Sequence, residues 1–144
     1  MIGTLKIKTM ETQKVITIIV EKTATGFSSY VKEIDGLVTV GNNMSELKRN
    51  FNEVLDYHVE YLQEKGEKVS RNNFRTNFVL DLEQFFGYFN VINKSAFAEH
   101  YAGINQSLFR QYTKKLAPLS DDKMLQISRG LHKLAEELSD LSLA

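Results

Sequence analysis

The run from Asn105 to Lys115 concentrates the side chains best suited to reading a nucleic acid. Arginine pairs bidentately with the acceptors of guanine, and glutamine with the N6 and N7 edge of adenine. At helical spacing, Gln106, Ser107, Arg110, Gln111 and Lys114 fall on one face, while Ile104, Leu108 or Phe109, and Tyr112 turn to the other. Asn105 suits the N-cap of such a helix. The run holds three cations, Arg110, Lys114 and Lys115, and no acid, inside a chain of zero formal net charge. That balance argues against binding by bulk charge alone and leaves room for a local basic surface. Lys114 and Lys115 suit phosphate contacts, which position a protein without reading sequence. The expected DNA-binding set is therefore Asn105, Gln106, Ser107, Arg110, Gln111, Lys114 and Lys115. An ordinary helical hairpin with a solvated polar face has a similar composition, so the preceding element must support the reading.

No comparable grouping supports catalysis. Two-metal nuclease chemistry needs clustered carboxylates. The first apolar run carries no acid until Glu21, and Glu33, Asp35 and Asp81 sit singly at a strand end, a turn and an element boundary. They read as solvated charge. His58 lies on an apolar helical stripe, as a core-edge histidine would, and His100 and His132 lack partners at metal-ligand spacing. No phosphate-cradling glycine loop or nucleophile motif occurs. The expectation is a protein that is not an enzyme, with no catalytic residue, no cofactor and no metal. The chain has no cysteine, which fits a reducing cytoplasm. Met1 to Lys14 lacks a signal-peptide core, and no apolar run approaches the ~20 residues that span a bilayer.

The elements that would carry these residues divide in two. Val15 to Val20 is β-branched and apolar on both faces, as in a strand central to a sheet. Gly26 to Glu33 reads as a half-buried strand, Asp35-Gly36 as a turn, and Leu37 to Val40 as a third strand ended by Gly41. Asn43 and Glu46 form a capping box for a helix whose stripe is Leu47, Phe51, Leu55, His58 and Leu62, with Val54 beside it, ending near Gly66. Thr76 to Leu82 reads as a fourth strand. The order β-β-β-α-β implies one sheet with one covering helix. Beyond it only helix signals remain. Phe85, Phe86 and Phe89 read as core packing between the last strand and the helices. Asn93 caps a helix through Tyr101, Gly103 makes a turn, and Asn105 caps a helix from Gln106 to Lys115. Pro118 and Ser120 precede a last helix with the stripe Met124, Ile127, Leu131, Leu134 and Leu138. The fold class is α+β, with residues 1–82 as an α/β domain and residues 83–144 as an all-α domain.

On Ser95 to Tyr112, residues 91–138 resemble a lambda-repressor-like (Xre-type) helix-turn-helix domain. On Gly26-Phe27-Ser28, Thr39-Val40-Gly41 and the long helix ending Tyr61-Leu62, the front half is similar to HicB-type antitoxins, whose degenerate ribonuclease-H-like domain often precedes a DNA-binding tail. The resemblance implies an antitoxin that neutralises a small HicA-type mRNA-cleaving toxin and, as a homodimer or higher oligomer, represses its own operon at operator DNA. Glu21, Glu33, Asp35 and Glu46 would then face the toxin's basic surface. Two departures stand out. Repressor helices place a small residue four before the turn glycine, yet that position holds Glu99 and Ala98 stands five before. Either the first helix carries one extra residue or its packing differs. The proline usual in the third strand is absent. The other reading is a transcriptional regulator whose front domain senses a small ligand or only oligomerises.

Overall fold

A computed structural model describes residues 13–143. Most of the amino-terminal stretch read for a signal-peptide core, residues 1–12, lies outside them. The chain is mixed α+β and forms two compact units that divide between Asp81 and Leu82. The boundary expected after Leu82 moves forward because Leu82 opens a helix and is buried.

Among the described residues the first unit holds four strands and one long helix. These are β1 (Lys14–Lys22), β2 (Phe27–Val31), β3 (Val38–Gly41), α1 (Met44–Glu64) and β4 (Phe74–Leu80). The sheet order is β3-β2-β1-β4. β1 pairs antiparallel with β2, through Ile18 opposite Val31, and parallel with β4, through Ile18 opposite Phe78. Alternation sends Ile16, Ile18 and Val20 into the core, each fully buried, against Leu47, Phe51, Leu55 and Val59 of α1. The Asn43 side chain accepts from the Glu46 amide at 2.9 Å and starts α1. A Cβ on Gly41 would meet the Leu47 nitrogen at 2.5 Å, so helix and strand approach closely only with glycine there.

Two expectations change in this unit. β1 is central in the sheet, as expected, and α1 packs on one of its faces. Register places Val15, Ile19, Tyr30, Val38 and Val40 together on the other face, where Val38 and Val40 are more than 60% exposed. The helix stripe continues through Val59, while His58 and Leu62 are only half-buried. Leu82 leaves the face of Phe78 and Leu80 because the strand ends at Leu80.

The second unit comprises α2 (Leu82–Tyr88), α3 (Lys94–Phe97), a π turn (Ala98–Ala102), α4 (Gln106–Thr113) and α5 (Asp121–Ser139). Its core is aromatic. Phe86 packs on Phe97 and Phe109, with ring centroids 5.5 and 5.3 Å away, and Phe97 lies 5.8 Å from Phe109. Of the expected phenylalanine cluster, Phe86 is buried and Phe85 and Phe89 are half-buried. The partners of Phe86 are thus helical residues. Ile127 and Gly130 of α5 complete this core, whereas Leu138 is 67% exposed. The α5 stripe therefore serves its own unit only in part.

Candidate nucleic-acid interface

The candidate site is built from three local devices. Asn93 caps α3, its side chain accepting from the Ala96 amide at 3.0 Å. Asn105 caps α4, accepting from Ser107 at 2.9 Å and Leu108 at 3.3 Å. Gly103 links them at φ +64°, a left-handed conformation that costs glycine little. The carbonyls of this link are not left bare. The amide nitrogen of Gln126 donates to those of Ala102 at 2.7 Å and Gly103 at 3.1 Å.

Between α3 and the link the backbone widens into the π turn. The Ala98 carbonyl accepts from the amides of Gly103 and Ile104. One residue more than an α-helical turn is thereby held in the same length of helix. The wider turn includes Ala98 and Glu99, the positions five and four before Gly103. Ala98 and Ala102 stay buried in the core, and Glu99 and His100 are pushed to the surface.

On α4, Phe109, Tyr112 and Thr113 face inward and Leu108 is half-buried, so Phe109 and not Leu108 is the main anchor. Gln106, Ser107, Arg110 and Gln111 are exposed on the opposite side. Gln106 and Arg110 border two concavities. One is also lined by Glu99, Ile104, Asn105 and Ser107. The other is lined by Lys94, Ser95, Phe109, Thr113 and Lys114. Lys94, Arg110 and Lys114 together surround the second with positive charge, a setting suited to phosphate.

Two expected members of the set are placed differently. The Asn105 carbonyl oxygen is committed to the cap, leaving its amide nitrogen for any outside partner. The helix ends at Thr113, two residues earlier than expected. Lys114 is its C-cap, and Lys115 turns left-handed at φ +61°. The Lys115 and Leu116 amides bond back to Tyr112 and Gln111 at 3.2 and 2.8 Å, closing the end as a Schellman motif. Lys94 and Gln126 carry no signal in the sequence, and the side-chain role of Glu99 is not visible there either. Glu99 leaves only the odd count to the turn glycine.

Elsewhere the acids do not gather. Among the described residues no group of three or more histidine, aspartate or glutamate side chains is arranged to hold a metal ion. Glu33 is engaged locally, both carboxylate oxygens accepting from the Thr17 amide at 2.9 and 3.0 Å. That bond holds its carboxyl below the usual glutamate range. Among the described residues no helix is long and apolar enough to cross a membrane. Comparison with protein-family models, characterised proteins and solved structures finds no match.

Proposed function

We propose that this chain is a DNA-binding antitoxin of the cytoplasm, without enzymatic activity. In this reading α3, the π turn and α4 are a helix-turn-helix, and α4 enters the major groove of an operator. One observation carries it: an amphipathic helix, capped at both ends, whose outward face presents glutamine, serine and arginine beside a basic concavity. Arg110 reads guanine, Gln106 and Gln111 read adenine, and Lys94 and Lys114 hold phosphates.

The toxin-binding half of the proposal rests on the resemblance to HicB-type antitoxins. It is supported by the open sheet face of Val15, Tyr30, Val38 and Val40, an apolar surface of the kind that marks interaction sites. A small HicA-type mRNA-cleaving toxin is the proposed occupant. Footprinting of the full chain on the DNA upstream of its own gene tests the first half, and a protected, salt-sensitive site is the expected result. Co-purification with the product of the neighbouring gene, paired with an RNA-cleavage assay, tests the second. A footprint without a toxin partner would leave a regulator, and the absence of any footprint would remove the DNA reading.

A further inference from the structure

Glu99 is an acid placed among side chains that read bases. It shares a concavity with Gln106 and Arg110, and its Oε2 accepts a 2.8 Å hydrogen bond from Nε2 of Gln106. An ionised carboxylate has no proton to give, so the Gln106 amide must keep its nitrogen toward Glu99 and its carbonyl turned away. A free glutamine flips between the two orientations, which present donor and acceptor in opposite order. This one is held in a single order. Glu99 stands in the π turn and is exposed, while Ala98 and Ala102 remain in the core.

We infer that Glu99 is a specificity-determining positioning residue that makes Gln106 an adenine reader. This rests on the DNA-binding reading of the same surface. A bidentate contact to adenine needs one carbonyl acceptor for N6 and one amide donor for N7. Gln106 spends one of its two N–H groups on Glu99 and keeps that pair. Guanine presents two acceptors, O6 and N7, on the same edge. A locked amide offers them one N–H and one carbonyl oxygen, so one guanine acceptor meets another acceptor, and the nearby carboxylate repels both further. Glu99 also faces the phosphates with the wrong sign of charge, so it lowers affinity for DNA in general while sharpening the choice of base. Arg110, one helical turn on, has no hydrogen bond or ion pair from its guanidinium among the described residues and stays available to guanine.

The test is selection of bound sequences from random duplex DNA by the full chain, by Glu99→Gln and by Gln106→Ala, with thermal melting as a check on folding. The wild-type chain is expected to prefer adenine over guanine by about tenfold or more at one position of each half-site. Glu99→Gln should reduce that preference to about twofold or less, leave the guanine chosen by Arg110 in place, and bind bulk DNA equally or more tightly. Gln106→Ala should lose the same position. A merely structural Glu99 would instead weaken every position and lower total affinity, and that result overturns the inference. So does an adenine preference that survives Glu99→Gln. If the wild-type chain selects no motif at all, the DNA reading falls and takes this inference with it.

Discussion

Lys115 keeps a lysine where the backbone favours glycine. Its left-handed φ of +61° closes α4, and such a conformation costs a residue with a Cβ roughly 1 kcal/mol. Replacing it separates folding from function. Lys115→Gly is expected to change stability by less than about 1 kcal/mol in denaturant melts, since relief of the left-handed strain is offset by the larger backbone entropy that glycine loses on folding. It should also weaken DNA binding to all sequences alike and lower the salt slope by about one. An unchanged affinity in a folded variant would show that Lys115 does not touch phosphate. Glu33 makes the reverse case, an acid whose work lies within the chain. Its folded pKa is depressed by the Thr17 amide, so the stability it adds is present above its unfolded value and is lost as pH falls through the lowered one. Glu33→Gln should cost about 1 kcal/mol or less at neutral pH, the carboxyl being exposed. The melting curves of the two proteins should converge as the pH drops below the glutamate range. A constant gap down to the acid limit would refute that assignment.

At the scale of elements, α5 approaches the π turn so closely that its side chain is dispensed with. A Cβ on Gly130 would sit 3.0 Å from the backbone carbon and oxygen of Tyr101 and 3.1 Å from the Ala102 Cα. In an open helix Gly→Ala stabilises by about 1 kcal/mol. Here the neighbours are backbone, and Gly130→Ala should destabilise by about 1 kcal/mol net, read from the urea midpoint. Nothing in a helical stripe of Met124, Ile127 and Leu131 marks Gly130 as a contact, because closeness between elements leaves no local pattern. Elements with a strong period or a side-chain cap were legible, as with β1, the Asn43, Asn93, Asn105 and Ser120 caps, and the polar face of α4. The α1 stripe was legible only for its first three members. Steps of four from Leu47 to Val59 drift about 40° each on a helix of 3.6 residues per turn. A twisted sheet can follow such a drift, and a straight stripe through His58 cannot represent it.

For the whole molecule, the open surfaces bear on assembly. A single helix-turn-helix reads few bases, so a two-fold dimer on paired half-sites is the natural form of the proposed repressor. The end of α5 offers a surface for it, since Leu138 is 67% exposed and Leu141, just past the helix, 73%. Leu138→Glu with Leu141→Glu should halve the mass found by light scattering at micromolar concentration and leave the melting temperature of the monomer fold nearly unchanged. A dimeric mass in that variant would move the interface elsewhere, with the sheet face of Val38 and Val40 next in line. Such surfaces are invisible to composition, which records that leucine and valine are present but not that they lie uncovered.

The π turn also bears on how this segment can change over generations. A π turn holds one residue more than the α-helical turn it replaces, so it can lose one and remain helical. Loss of Glu99 alone would tighten the turn toward ordinary α-helix, with Phe97 and Ala98 still packed and Gly103 still at the corner. A pattern that counts residues at fixed spacing would slip by one across this point, though the two chains it compared folded alike. The same single-residue step would free Gln106 from its carboxylate, so, if the proposed DNA-binding reading holds, an insertion or deletion here would alter the choice of base.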